Sequence, residues 1–471
     1  MIAHCTASPS IFIGTPKEKA GPAADRKSEV RAPLSWAEIG PCTVVNEGPD
    51  TIVLYFSLPF VIRISYIERV LRINFSSADS GRKSLRMFFG ANPREKLFGA
   101  GPSVFYNLKT KEIEIGSEST ADFGGREPAI FSNSGTWMYV DGSGILRWSF
   151  DPSRTVLFCS AVPKEIAIGF GKTQAMAMEL LSNYRASRQQ AGKARAGLRN
   201  PLPKQLQSGV IIDASEAPQK ALASIKAIRD VGVAPAWLVG RTIEGETDLP
   251  ALSADEWKEI LDFSSACSLS AAERSQKGAK ELVRRILSLS FSGNGHTFLP
   301  IGKPGGDAAD PSSALDIPRL LDLAMFSPLF VVDSGMELAG SALLHAFSRA
   351  AAVYGALMPY RDFCSEWWVR EGIPAFYHLA LYYPDETALW KIDDQYMFGP
   401  DLMIAPVFSG GRESRRLCLP DDAWIHMWTS RHYSGGAAVI DAPAGKPAVF
   451  YREDSSFARL FDTVRQMATR L

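Results

Sequence analysis

The segment at residues 395–407, QYMFGPDLMIAPV, constrains the fold of this chain more than any other segment. Its Gly-Pro-Asp sequence at 399–401 is typical of a tight turn, because glycine and proline supply the backbone angles that such turns need. The apolar run that follows, at 402–407, has the length of a buried strand. The sequence therefore predicts a turn followed by a buried strand in the C-terminal part of the chain.

The composition is that of an ordinary globular protein. Hydrophobic residues make up 46% and charged residues 22% of the 471 residues, a length that predicts two to four domains. Lysine plus arginine and aspartate plus glutamate number 51 each, which favours neither a nucleic-acid nor a membrane partner. No apolar run is long enough to cross a bilayer, and the short apolar patch at 11–13 makes a poor secretory signal. We therefore expect a cytoplasmic protein.

Cysteines and histidines give no sign of a metal or disulfide framework. None of the cysteines lies in a Cys-x-x-Cys pair, which favours free or buried thiols in a reducing compartment. The six cysteines are Cys5, Cys42, Cys159, Cys267, Cys364 and Cys418. The six histidines are also scattered, so the sequence predicts no metal site and no cofactor.

Hydrophobic periodicity divides the chain into four parts. Residues 1–33 are rich in Pro, Ala, Lys and Ser, and we predict a mobile tail there. Residues 34–200 contain short β-like runs separated by turn residues, which predict a β-sandwich, followed by a helix and a linker. Residues 201–378 begin with a strand–helix–strand unit at 209–239, which implies a parallel sheet. Residues 379–471 return to a β pattern.

Three finer predictions concern the third part. We predict a helix at 254–264, a Gly/Pro/Asp loop at 300–313 and helical sequence from 339 to 371. The last segment carries Trp367 and Trp368 on a bulky apolar face, which is more typical of a core than of a ligand site.

The C-terminal motifs resemble those of glycoside hydrolase family 31, the retaining α-glycosidases. The segment 395–407 is similar to the family's barrel exit, and APAGKPAVFYR at 442–452 resembles its sulfoquinovosidase-like branch. Further matches keep their order, among them Trp428-Thr429 and Gly435-Gly436. The resemblance implies a multidomain α/β plus β protein with a galactose-mutarotase-like N-terminal β-sandwich, a (β/α)8 barrel and a C-terminal β-sandwich. It also implies hydrolysis of an α-linked glycoside with retention.

The barrel segment is too short for a complete (β/α)8 barrel. Residues 203–372 number 170, whereas such a barrel takes about 250 residues and rarely fewer than about 200. Two parallel strands are followed by sequence that resembles the family's late-barrel motifs. We therefore expect an incomplete barrel that lacks its middle strands and, on the resemblance, the nucleophile.

The two carboxyl groups of a retaining glycosidase must lie about 5–5.5 Å apart. The family's nucleophile lies in an apolar-x-Asp motif at a strand end, and no acidic residue between 241 and 280 matches that motif. The residues tested are Glu244, Glu246, Asp248, Asp255, Glu256, Glu259, Asp262 and Glu273. Asp122-Phe123-Gly124 looks like the motif but falls inside the N-terminal sandwich, where we interpret it as a turn.

The positions that would hold a sugar also differ from the family pattern. Pro300 stands where the family has an aspartate, Val331-Val332-Asp333 where it has Arg-x-His, and Tyr377 where an arginine is usual. Several such losses together argue against a working sugar pocket. Asp333 is the one carboxylate kept as a weak catalytic candidate.

Three functions stay open. The first is an inactive or truncated family 31 α-glycosidase, either a pseudoenzyme or an incomplete gene model. The second is a working enzyme on an α-glycoside substrate with relocated carboxylates, using Asp333. The third is a non-catalytic carbohydrate- or partner-binding protein that stacks a sugar ligand on Trp237, Trp367 or Trp368.

Overall fold

The computed structural model describes residues 11–16, 34–39, 41–56, 60–77, 84–90, 95–99, 105–106, 112–116, 128–150, 154–190, 204–207, 209–213, 218–230, 235–239, 251–252, 264–266, 276–291, 296–301, 317–333, 343–408 and 411–470. The chain forms two compact units, Met1–Leu181 and Ser182–Leu471. The division falls within the first helix, α1 (Gln174–Gln190).

The first unit is built from strands. In order they are β1 (Ile11–Pro16), β2 (Leu34–Glu38), β3 (Cys42–Gly48), β4 (Thr51–Phe56), β5 (Phe60–Ile67), β6 (Val70–Ser77), β7 (Ser84–Gly90), β8 (Leu97–Gly99), β9 (Phe105–Tyr106), β10 (Glu112–Gly116), β11 (Ala129–Ser132), β12 (Thr136–Asp141), β13 (Ile145–Phe150), β14 (Arg154–Cys159) and β15 (Glu165–Phe170).

These strands form two antiparallel sheets that share one core. One sheet has nine strands in the order β3-β4-β5-β6-β15-β12-β11-β8-β9, and the other has six in the order β10-β13-β14-β7-β1-β2. Trp148 and Leu157 of the six-stranded sheet belong to the same buried cluster as Phe60 and Ile168 of the nine-stranded sheet. Alternating apolar residues place one face of each sheet in this cluster, as in a β-sandwich.

Six residues of the expected mobile tail form a strand instead. Strand β1 pairs with β2 on one side and with β7 on the other, and places Phe12 opposite Arg86. The prediction of a tail was wrong for these residues because the apolar run Ile11-Phe12-Ile13 gains two strand partners from distant sequence, which composition alone does not reveal.

The second unit combines a parallel sheet with an antiparallel one. After α1 it contains β16 (Val210–Asp213), α2 (Pro218–Asp230), β17 (Pro235–Val239), β18 (Ala251–Leu252), β19 (Ser264–Ala266), α3 (Gln276–Phe291), β20 (His296–Ile301), α4 (Ile317–Ala324), β21 (Phe330–Asp333), α5 (Leu343–Ala356) and α6 (Met358–Glu371). The chain continues with β22 (Phe376–Tyr377), β23 (Tyr396–Phe398), β24 (Leu402–Ala405), β25 (Ser414–Leu419), β26 (Trp424–His426), β27 (His432–Tyr433), β28 (Gly436–Asp441), β29 (Ala448–Arg452) and α7 (Ala458–Arg470). Short 3-10 turns lie at Lys204–Gln207, Leu379–Leu381 and Leu389–Lys391.

Six parallel strands form one sheet in the order β18-β17-β16-β21-β20-β19. The first strand in sequence, β16, therefore lies beside the last, β21, at the centre of the sheet. Sequence reasoning identified only β16 and β17 as parallel strands here. The additional strands β18 and β19 are two and three residues long, too short to carry a periodic signal.

Three finer predictions in this region need correction. Residues 300 and 301 belong to β20, which pairs with β21, so they form a strand and not a loop; residues 302–313 lie outside the described part. The helical segment 339–371 is two helices that meet at Leu357, because Pro359 follows at the start of α6 and proline is favoured in the first helical turn. Ser264, the last residue of the helix predicted at 254–264, belongs to β19; residues 253–263 lie outside the described part.

The turn and strand at 395–407 have the predicted structure. Gly399 has a φ of +60°, and β24 is a buried strand that pairs with β23 and β29. The hydroxyl of Tyr360 spans the turn, donating to the carbonyl of Phe398 at 2.8 Å and accepting from the amide of Asp401 at 2.9 Å. The antiparallel sheet has the order β22-β23-β24-β29-β26-β27, with β25 and β28 forming a separate two-stranded ribbon.

Two further observations bear on the environment of the protein. Across the described helices, none combines the length and the apolar character that crossing a membrane requires. Cys42, Cys159, Cys364 and Cys418 are free thiols, and Cys5 and Cys267 lie outside the described residues.

Candidate active site

The carboxyl ends of the parallel strands form the candidate active site. In parallel sheets, both open and closed into barrels, ligands bind at this edge, because the loops that follow the strands converge there. Strands β16 and β21 each end in an aspartate, Asp213 and Asp333. Asp333 is the candidate that the sequence predicted, and it lies at the carboxyl end of β21.

Asp213 and Asp333 are register partners on adjacent parallel strands. The residues before them, Ile212 and Val332, are also paired and each only 1% exposed, so apolar burial fixes both strands in this register. Adjacent strands lie about 4.8 Å apart, which makes the two backbone positions immediate neighbours. The fold thus places two acidic residues at neighbouring backbone positions on adjacent strands.

Sequence reasoning missed Asp213 as a site residue. Its signal was present, because GVIID at 209–213 and FVVD at 330–333 are both apolar strands that end in aspartate. The sequence could not reveal that β16 and β21, which are the first and last strands of this sheet along the chain, pair with each other.

Two of the positions that differ from the family's sugar-binding pattern lie beside each other. Pro300 of β20 is the register partner of Val331 of β21. Val331 is 2% exposed, so an apolar side chain is buried where the resemblance places an arginine. Tyr377, the third altered position, is buried, and its hydroxyl donates to the carbonyl of Gly399 at 3.0 Å. Its phenol therefore stabilises the turn at 399–401.

The tryptophans proposed as a stacking surface are mostly buried. Trp367 and Trp368 are 5% and 7% exposed, and the ring of Trp367 lies 5.9 Å from that of Tyr377. Both were predicted to belong to a core, and this prediction is confirmed. Trp237 belongs to β17, but its side chain is outside the described part of the chain.

Other candidates from the sequence lie outside the described residues. These are Asp122 and the acidic residues Glu244, Glu246, Asp248, Asp255, Glu256, Glu259, Asp262 and Glu273. Within the ranges that the structure describes, no three His, Cys, Asp or Glu side chains come together as metal ligands would.

Comparison with known proteins identifies the relatives of this chain. Residues 372–456 match the glycosyl hydrolase family 31 C-terminal domain. The chain is 33% identical to the sulfoquinovosidase of Agrobacterium fabrum over 198 residues and 32% identical to that of Escherichia coli over 197 residues. Each alignment covers 40% of this chain, and they span only 30% and 29% of the two relatives.

Solved structures share the fold over nearly the whole chain. A GH31 family sulfoquinovosidase from E. rectale, in complex with an aza-sugar inhibitor, aligns with a TM-score of 0.73 and 17% identity, covering 98% of this chain and 96% of that one. A GH31 α-xylosidase from a soil metagenome, complexed with xylose, gives a TM-score of 0.62 and 14% identity, with coverages of 94% and 95%. The chain thus carries a glycosyl hydrolase family 31 C-terminal domain at residues 372–456, is similar to sulfoquinovosidases over 40% of its length and shares its fold with solved GH31 enzymes.

Proposed function

We propose that this chain is a family 31 α-glycosidase-like protein of carbohydrate metabolism whose (β/α)8 barrel is incomplete and which has no hydrolytic activity in this form. The strand order supports the proposal. Strand β16 pairs with β21, as the first and last strands do in a closed barrel, and the order is sequential on either side of that pair.

The missing part of the barrel lies between β18 and β19. Within the described residues β18 pairs only with β17, and β19 only with β20. The described part of the chain contains six parallel strands, whereas a complete barrel has eight. The intervening residues 253–263 number only eleven, whereas a strand–helix–strand unit takes about 30. On the family resemblance, the absent middle strands would carry the nucleophile.

An activity assay tests the proposal. We expect purified protein to show no turnover above buffer with para-nitrophenyl α-glucoside or with the corresponding α-sulfoquinovoside. The second substrate is included because the chain has sulfoquinovosidases among its relatives. Turnover that disappears in Asp333→Asn would overturn the proposal.

Sequencing the transcript separates a pseudoenzyme from an incomplete gene model. A longer message with additional codons between those for Leu252 and Ser264, including an apolar-x-Asp motif, would show that this chain lacks coding sequence. A message identical to the present sequence would support a pseudoenzyme.

A second candidate function is α-glycoside hydrolysis by relocated carboxylates. The register pairing of Asp213 with Asp333 favours it, since it provides two neighbouring acidic positions at the catalytic edge of the sheet. If the assay detects turnover, Asp213→Asn and Asp333→Asn should each lower kcat by about 10²-fold or more. The exposed Asp385→Asn is the matched control and should keep the rate. Equal rates in all variants would exclude this candidate.

The third possibility, sugar binding without turnover, has weaker support because Trp367 and Trp368 are buried. Calorimetric titration with α-glucosides and sulfoquinovose would detect it. Binding without hydrolysis would favour a carbohydrate-binding pseudoenzyme over a protein with no sugar ligand.

A further inference from the structure

Arg361 is a buried cation on helix α6. Its side chain is 2% exposed and is among the largest fully buried side chains of the described residues. The guanidinium lies over the ring of Tyr354, with its central carbon 3.4 Å from the ring centroid. Its Nη2 donates to the backbone carbonyl of Gln207 at 2.8 Å.

Two nitrogens of this guanidinium have no hydrogen-bond acceptor. Nε and Nη1 of Arg361 are both buried, and neither contacts an acceptor in the described part of the chain. A buried donor left without a partner costs about 1–3 kcal/mol, and more when it carries charge. Arg319 is almost as buried, at 4% exposed, but it contacts the carboxylate of Asp322 and the carbonyl of Ala442. Among the described residues, Arg361 therefore has fewer hydrogen-bond acceptors than Arg319.

The neighbouring titratable groups do not supply a negative charge. Burial raises the pKa of the Tyr354 phenol and the pKa of the Cys364 thiol, so both side chains are neutral near pH 7. Burial also lowers the pKa of Arg361, but a guanidinium stays protonated in proteins. Among the described residues, the positive charge therefore faces the neutral Tyr354 side chain and one carbonyl dipole.

We propose that the guanidinium of Arg361 binds a small anion, a halide such as chloride, through its open N–H donors on Nε and Nη1. An anion fits better than water, because it satisfies the donors and also neutralises a charge that the chain leaves uncompensated. A monatomic anion fits better than a large oxyanion, because the side chain is only 2% exposed.

This anion site is distinct from the candidate active site. Gln207 lies in the 3-10 turn Lys204–Gln207, before β16 begins at Val210. Arg361 therefore lies towards the amino end of β16, whereas Asp213 lies at its carboxyl end. The proposed role of the anion is structural, and it does not depend on whether the protein hydrolyses glycosides.

Thermal denaturation tests the proposal. Wild type, Arg361→Met and the partly exposed control Arg465→Met would be compared in sodium chloride, bromide, sulfate and gluconate at equal ionic strength. We expect chloride and bromide to raise the apparent melting midpoint of wild type and of the control, in a saturable way, by about 2–4 °C relative to gluconate. Arg361→Met should lose this response. A response that persists in Arg361→Met, no halide response in wild type, or an Arg361-dependent response to sulfate alone would overturn the proposal.

Crystals of the wild-type protein grown in sodium bromide give a test that does not require the variant to fold. We expect an anomalous bromide peak within hydrogen-bond distance of Nε or Nη1 of Arg361. The absence of that peak, or a water molecule in its place, would overturn the proposal.

Discussion

Arg319 and Asp322, on helix α4, form an ion pair that is buried on both sides, with side chains 4% and 2% exposed. The Nη1 atom of Arg319 lies 3.1 Å from Oδ2 of Asp322 and also donates to the carbonyl of Ala442 at 2.9 Å. The other carboxylate oxygen, Oδ1, accepts from the amide of Gly445 at 2.8 Å. The pair thus joins a helix of the parallel-sheet region to the loop before β29, which explains why the Gly-Lys-Pro motif at 445–447 belongs to the scaffold and not to a catalytic site.

We predict that Asp322→Asn destabilises the second unit by about 3–5 kcal/mol, because it leaves the charge of Arg319 buried without a counter-ion. Urea unfolding followed by tryptophan fluorescence measures the effect. Asp462→Asn is the matched control, since Asp462 and Arg465 form an ion pair with the same sequence spacing but 41% and 29% exposed. It should cost less than about 1 kcal/mol. Equal losses of unfolding free energy in the two variants would show that burial does not make the Arg319–Asp322 pair more important for stability than the exposed pair.

A second prediction concerns the turn at 399–401. In Gly399→Ala the new Cβ would lie 2.3 Å from Sγ of Cys364 and 2.6 Å from the hydroxyl oxygen of Tyr360, at a φ of +60°. Left-handed strain and overpacking together predict a loss of about 2–5 kcal/mol in the free energy of unfolding. Gly411→Ala is the control, because Gly411 has a φ of +75° but no atom of the described residues lies within 4 Å of the added Cβ. The backbone strain alone should lower the free energy of unfolding of Gly411→Ala by about 1–2 kcal/mol. A loss in Gly399→Ala that is no larger than this would contradict the prediction.

The turn at Gly399 also shows which structural features local sequence can predict and which it cannot. The turn and the buried strand β24 were predictable because the Gly-Pro dipeptide and the apolar run are adjacent in the chain. The side chains that close around the turn, Tyr360 and Cys364, come from helix α6, some 35–40 residues earlier. No local pattern predicts that packing.

Long-range pairing limited the prediction of the candidate site in the same way. Asp213 and Asp333 are neighbours only because β16 and β21 pair, and 119 residues separate them in the sequence. Strand β19, Ser264–Ala266, has little intrinsic β propensity and is recognised only through its pairing with β20. The burial of Arg361 was equally unpredictable, because arginine is ordinarily an exposed residue.

A third prediction concerns Gln395, which is 2% exposed. Its side-chain amide acts as a strand partner for Cys418: the Cys418 amide donates to Oε1 at 2.9 Å, and Nε2 donates to the Cys418 carbonyl at 2.8 Å. Gln395→Leu removes both hydrogen bonds and should lower the free energy of unfolding by about 1–3 kcal/mol. The measurement is again urea unfolding, with the exposed Gln466→Leu as a control that should change stability by less than about 0.5 kcal/mol. A Gln395→Leu variant as stable as the control would rule out this role.

A fourth prediction concerns acid stability and His426. Its side chain is 3% exposed, its Nδ1 lies 2.8 Å from the hydroxyl oxygen of Thr429, and its Nε2 is buried without a hydrogen-bond partner. Burial, together with the nearby charge of Arg431, lowers the pKa of His426 from 6.5 to about 4. The unfolded chain therefore binds more protons than the folded one between these values.

It follows that the contribution of His426 to stability is complete above about pH 6.5 and decreases as the pH falls towards 4, by about 3 kcal/mol in all. The stability difference between wild type and His426→Phe, measured by urea unfolding from pH 8 to pH 4.5, should shift in favour of the variant as the pH falls. His432→Gln is the control, because His432 is 65% exposed on the neighbouring strand, and its difference from wild type should not follow the same course. Parallel pH profiles for wild type and His426→Phe would show that His426 does not titrate with a lowered pKa in the folded protein.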